Sequence, residues 1–246
     1  MVTSADFPRS THLFEQSNVA STADGGATMT LLNPAVEGVL ARLYAEAKEN
    51  DRQLQREEEA ALRASFDGRL DEETLASIQN RTFMAVAPEV GRFFYILVRS
   101  YKPSRIVEFG TSFGLSAIHL AAALRDNGSG QLITTEQSSG KAARAAQHFE
   151  QAGLSDLIEL RHGDAFVTLQ GVEKTDMLVL DGWKPLYLPL LQKLEPVLAP
   201  HCLVVADDVI SLAAKCAPYL DYVRDRANGY VSCEIPLDDG VELSFR

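Results

Sequence analysis

Three acids stand where three successive apolar stretches of this sequence end. Glu108 lies in the last turn of Arg105–Phe109, Glu136 closes the stretch that begins at Gln131, and Asp164 follows Ile158–Arg161. Gly110-Thr111-Ser112-Phe113-Gly114 joins the first of these stretches to a helical one. Glycines at such a turn let the backbone fold tightly and approach a ligand that a Cβ would hold off. The spacing is G-x-x-x-G, whereas the dinucleotide fingerprint is G-x-G-x-x-G with a pyrophosphate on the helix N-terminus. A nicotinamide cofactor is therefore disfavoured, and Glu108 would sit badly beside a pyrophosphate. It suits a cationic head group instead. A carboxylate at the end of the second stretch can accept from both hydroxyls of a ribose, and Asp164 could meet the exocyclic amine of an adenine. A positively charged nucleoside fits all three acids, and S-adenosylmethionine is such a molecule.

A second group of acids follows. Asp181 ends the fourth apolar stretch, and Asp207 and Asp208 end the fifth. Neighbouring strands lie about 4.8 Å apart, so carboxylates at their ends can share one cation. Hard oxygen ligands without a His or Cys set point to Mg²⁺ or a similar divalent ion. The five histidines (His12, His119, His148, His162, His201) contain no i, i+4 pair. The plainer alternative is that each aspartate caps a helix. Lys184 stands three residues after Asp181 and is the candidate base, provided that its pKa falls from about 10.4 through burial or a nearby cation. Trp183 is either the wall of an aromatic-acceptor site or a partly buried core residue.

These residues need a frame. From residue 105 onward, apolar stretches alternate with helical ones: strands at Arg105–Phe109, Gln131–Thr135, Ile158–Arg161, Met177–Leu180 and Cys202–Ala206. Helices are expected at Leu115–Leu124, Lys141–Ala152, Leu186–Leu198 and about Ser211–Arg226. Such alternation implies a parallel sheet covered on both faces. Tyr230–Ile235 and Val241–Phe245, joined by Pro236-Leu237-Asp238-Asp239-Gly240, read as a closing antiparallel hairpin. The expected fold is α/β: a Rossmann-like doubly wound sheet, mostly parallel, with one antiparallel C-terminal strand and extra N-terminal helices. Residues 1–32, rich in Ser, Thr, Ala and Gly, read as a flexible arm. Residues 33–246 read as a single domain, with helices in 33–100 and the α/β core in 101–246. Asn33-Pro34 is a helix start, followed by Val36, Val39, Leu40, Leu43 and Tyr44 at helical spacing. A charged, solvated helical stretch spans Glu46–Glu59. A further helix is expected at Asp71–Gln79, and another begins at Pro88 with the stripe Val90, Phe93, Phe94, Leu97 and Val98.

Composition excludes several classes. Of 246 residues 46% are hydrophobic and 23% charged, ordinary globular usage. No apolar run approaches the roughly 18 residues of a membrane span, and no secretion signal opens the chain. The formal charge of -11 repels phosphate backbones, which makes a nucleic-acid partner unlikely. Three cysteines without CxxC spacing suggest neither a disulfide framework nor a zinc knuckle, and the reducing cytoplasm is the expected compartment.

The run VEFGTSFGLSAIHLA, from Val107 to Ala121, resembles the cofactor loop of class I methyltransferases. Asp181-Gly182-Trp183-Lys184-Pro185-Leu186-Tyr187-Leu188 and Val205-Ala206-Asp207-Asp208-Val209 are similar to catechol O-methyltransferase and its caffeoyl-CoA relatives. Met84 to Gly91 resembles the segment that this family lays across the methionine end of the cofactor. The resemblance implies methyl transfer from S-adenosylmethionine to a hydroxyl of a small, phenol- or catechol-like acceptor, assisted by Mg²⁺ or another divalent cation. It implies cofactor contacts from Met84, Val86, Glu108, Gly110, Ser112, Gly114, Ser116, Glu136, Gln137, Asp164, Ala165, Asp181 and Trp183. Asp181, Asp207 and Asp208 would hold the metal, Lys184 and Asp181 would be catalytic, and a homodimer is expected. Two departures stand out. Asp208 occupies a position where the family usually has Asn, and the turn at 236–240 is short, leaving no secure counterpart to an acid the family carries there and Asp238 as a candidate. The competing readings are a metal-independent, nitrogen-directed or tRNA-directed methyltransferase of the same fold, a non-catalytic cofactor-binding paralogue, and a nicotinamide oxidoreductase.

Overall fold

The computed structural model describes residues 29–64, 74, 77–78 and 81–246. Residues 1–28 of the expected arm, and most of the expected helix at 71–79, lie outside them. Thr30–Leu32, the end of that arm, form a 3-10 turn tied to the domain: the Thr30 amide and hydroxyl donate to Asp126, which also accepts from the Tyr95 hydroxyl.

Asn33 starts helix α1 (Pro34–Ala64) by accepting the Ala35 amide on its side chain. Val36, Val39, Leu40, Leu43, Ala47 and Leu54 are its buried face, so the charged stretch at 46–59 continues the same helix. Helix α2 (Pro88–Tyr101) buries Val90, Phe94 and Val98, with Phe93 and Leu97 at the margin. Strand β1 (Arg105–Phe109) then opens the alternating region. It continues through α3 (Leu115–Asn127), β2 (Gln131–Glu136), α4 (Ser139–Gln151), β3 (Ile158–His162), α5 (Ala165–Thr168), β4 (Thr175–Leu180), α6 (Tyr187–Leu194), β5 (Leu198–Ala206), α7 (Ala213–Arg224), β6 (Val231–Ile235) and β7 (Val241–Phe245).

The seven strands are ordered β3-β2-β1-β4-β5-β7-β6, and β7 alone runs against the parallel set, inserted between β5 and β6. That is the doubly wound sheet with one reversed strand that the alternation implies. One apolar cluster joins α1, α2 and α3 to one face, and a second joins α5, α6 and α7 to the other. The helix expected at 186–198 is shorter. It ends at Leu194, a 3-10 turn covers Glu195–Val197, and Leu198 already belongs to β5. The strand order reverses between β1 and β4, which is where a sheet of this kind opens a crevice at its carboxyl edge. Phe109 pairs with both Thr135 and Leu180, and Leu180 with Ala206, so the loops carrying Gly110, Glu136, Asp181 and Asp207 leave the sheet side by side. Among the described residues no helix is long and apolar enough to cross a membrane.

Candidate functional site

A cleft of about 730 Å³ opens along that edge. Of the residues expected to form the site, Met84, Val86, Gly110, Ser112, Ser116, Glu136, Gln137, Asp164, Ala165, Asp181, Trp183, Lys184, Asp207 and Asp208 all line it. Glu108 and Gly114 do not.

Each glycine of the loop has its own reason. Gly110 has φ +102°, and a Cβ there would meet the Asp181 carbonyl oxygen at 2.5 Å, so loop and acid strand touch backbone to backbone. Gly114 has φ +94° and caps α3, and a Cβ would strike the Phe149 ring at 2.5 Å. It packs behind the cleft lining, whereas the family resemblance implies a cofactor contact there. Ser112, also at positive φ, ties three segments together. Its amide donates to Glu136 Oε2 at 2.8 Å, and its hydroxyl donates to the Phe83 carbonyl at 2.6 Å. Phe83 stacks on Phe113 with ring centroids 4.1 Å apart, which lays Met84–Val86 along the rim.

The nucleoside acids are held by backbone. Glu136 Oε1 accepts the Ser138 amide at 2.8 Å, and Asp164 Oδ1 accepts the Phe166 amide at 2.8 Å while capping α5. Asp164 stands two residues beyond the end of β3. Glu108 is fully buried behind the cleft wall, its Oε2 bonded to Thr134 and its Oε1 without a partner. Burial pushes its pKa up to about 7. Its carboxyl lies behind the glycine loop and is not presented to the cleft that the expected cationic head group would enter.

The second acid group is tighter than its spacing implies. Lys184 Nζ lies 2.7 Å from Asp208 Oδ2 and 3.7 Å from Asp181 Oδ1, and its side chain is 8% exposed. Burial disfavours the ammonium, but Asp181, Asp208 and the bond to Asp208 outweigh it, and the pKa is raised. Asp181 and Asp208 favour the ammonium, so burial alone does not supply the lowered pKa that the base role requires. Burial and mutual repulsion raise the Asp181 carboxyl well above its usual range, and burial with Asp208 beside it lifts Asp207 to about 7. Asp207 Oδ1 is buried and unpartnered. Among the described residues no group of three His, Cys, Asp or Glu is arranged as a metal centre. The chemistry still suits a hard cation, because Asp181 and Asp208 share one ammonium and the neighbouring Asp207 has a buried oxygen without a partner. Trp183 is 52% exposed at the cleft mouth, which excludes the core reading.

Some lining residues carried no sequence signal strong enough to single them out: Lys141, Ser139, Leu212, Lys215 and Asp239. Lys215 Nζ stands 5.7 Å over the Trp183 ring, and Asp238 lines the same end.

Sheet order, glycine loop and acids at the strand ends define the class I methyltransferase architecture. A family model described as a methyltransferase domain matches residues 107–209. Catechol O-methyltransferase of Niastella koreensis is 35% identical over 132 residues, covering 52% of this chain and 59% of that protein. The Sus scrofa catechol O-methyltransferase is 33% identical over 149 residues, 57% of this chain and 78% of its own length. The crystal structure of the O-methyltransferase TomG from Streptomyces achromogenes, a complex with S-adenosylmethionine, superposes with a TM-score of 0.57 at 26% identity, covering 66% of this chain and 81% of that one. The chain belongs to the catechol O-methyltransferase family. It spans 59% and 65% of the length of the first curated relatives it matches.

Proposed function

We propose that this protein transfers a methyl group from S-adenosylmethionine to a hydroxyl of a small aromatic acceptor, with a divalent cation assisting. The observation that carries the reading is one cleft with two chemically distinct ends: a glycine loop with backbone-held Glu136 and Asp164 at one, and Asp181, Lys184, Asp207 and Asp208 beside Trp183 at the other. S-adenosylmethionine, when bound, supplies an electrophilic sulfonium methyl for in-line displacement. A Mg²⁺ held by Asp181, Asp207 and Asp208 would acidify the acceptor hydroxyl.

The chain's own residues do the rest. Glu136 accepts from the ribose hydroxyls, and Asp164 accepts from the adenine amine. Trp183 and Leu212 wall an aromatic acceptor, whose alignment with the methyl donor is the main contribution of such a site. Lys184 is the residue that meets the acceptor hydroxyl, either as the base that takes its proton or, where Asp181 and Asp208 hold it charged, as a cation beside the oxygen. Two buried thiols and one exposed, all free, support the cytoplasm as compartment. A homodimer is proposed on the family resemblance alone.

Isothermal titration with S-adenosylmethionine, with and without Mg²⁺, combined with methyl transfer to a panel of phenols and catechols, tests the reading. Binding is expected in both conditions, with activity lost on chelation and least changed in Asp208→Asn, which restores the family's usual residue. Full activity in excess chelator removes the metal and leaves the methyl transfer. No binding of the nucleoside removes both.

A further inference from the structure

Lys141 is a buried charge in the cleft that the transfer described above leaves unused. It is 4% exposed and lines the cleft, yet no carboxylate of the described residues lies within ion-pair distance of its ammonium. Its backbone amide donates to the capping Ser138 hydroxyl, which places it in the first turn of α4. A cation there opposes the helix dipole, and burial strips it of water. Its Nζ lies 5.5 Å from the Phe113 ring centroid, a contact that replaces only part of that hydration. Glu136 and Asp51 are the acids facing it. Both already accept backbone amides, Glu136 from Ser112 and Ser138, Asp51 from Phe83.

We propose that Lys141 is a cofactor-binding residue whose ammonium donates to a ribose hydroxyl oxygen of the nucleoside held by Glu136. The assignment rests on the nucleoside reading of the cleft. A hydroxyl both donates and accepts, a carboxylate only accepts, and an ammonium only donates. Glu136 and Lys141, at the two ends of one β2–α4 connection, therefore satisfy the same hydroxyls from opposite sides. The ammonium gains its missing partner only when the ligand arrives.

The test uses the full chain with two probes, S-adenosylhomocysteine and 5′-methylthioadenosine, which shares the ribose but lacks the amino-acid end. Lys141→Met is expected to weaken both by about tenfold or more, the worth of a hydrogen bond to a charged group. Lys141→Arg should stay within a few-fold of the parent for both. Without ligand, the Lys141→Met variant should melt no lower than the parent, because an unpaired buried charge has been removed. Should the methionine variant fail to fold, Lys141→Gln carries the same expectation. Unchanged affinity in these variants, with a parent that binds, overturns the assignment and leaves the nucleoside reading intact. So does a loss confined to S-adenosylhomocysteine, which would put the ammonium on the amino-acid carboxylate. A parent that binds neither probe overturns the nucleoside reading and this assignment with it.

Discussion

The two ends of the cleft treat their carboxylates in opposite ways. At the nucleoside end Glu136 and Asp164 accept backbone amides, donors that neither titrate nor swing away. At the acceptor end Asp181 and Asp208 share a single ammonium with Asp207 beside them, and Asp181 and Asp207 have raised pKa values. The first end is preorganised for a ligand of fixed shape. The second is short of positive charge and takes its final arrangement from what enters it. A site can thus combine a rigid grip on the donor with a reactive end whose electrostatics change during turnover.

The widest gap between the ends should open with Lys184→Met. Turnover on an aromatic hydroxyl is expected to fall by about 10² to 10⁴, while titration with S-adenosylhomocysteine gives the parental affinity. A joint loss of binding and rate would merge the two ends into one functional unit. Glu108→Gln probes the wall behind them. Because burial raises the Glu108 pKa to about 7, the folded chain holds a proton that the unfolded chain has already lost above its ordinary value of 4.5. Stability from this group therefore falls as pH rises between those values. The glutamine variant should gain on the order of 3 kcal/mol over the parent between about pH 5 and pH 8, read from urea midpoints without ligand. A pH-independent difference would mean that Glu108 is ionised in the fold. Glu136→Ala should cost the nucleoside about 1.5–3 kcal/mol, roughly ten- to a hundredfold in affinity, with the folded state retained. Unchanged binding would place the ribose elsewhere.

What could be read in advance follows from how locally each feature is determined. The strand ends, the glycine loop and the reversed β7 rest on short-range patterns, and they stand where the pattern puts them. Glu108 reads from its place near a strand end as an acid facing the cleft, but β1 is buried on both faces, so alternation says nothing about which way position 108 points, and the side chain is enclosed behind the lining. The pairing of Lys184 with Asp208 depends on a side-chain approach across two loops and on Asp208 adopting φ +62°, which no spacing rule encodes. The run Leu194 to Pro200 is apolar except for Glu195, so it conceals the point where α6 stops and β5 begins. Lys141 reads as an ordinary solvated lysine. Only its position in the first turn of a helix, unfavourable for a cation, hinted otherwise.

The backbone seam between β1 and β4 has a consequence for redesign. The Asp181 amide donates to the Phe109 carbonyl at 2.9 Å, and Gly110 presses on the Asp181 carbonyl with no room for a methyl group. The gap between the glycine loop and the first acid is therefore a main-chain dimension, set by the sheet itself and not by side chains. Among the described residues no backbone hydrogen bond joins the opposite wall, built from Leu212, Lys215, Asp238 and Asp239, to the glycine loop. Retargeting this scaffold to a new acceptor is work for that wall, with the donor side left as it is.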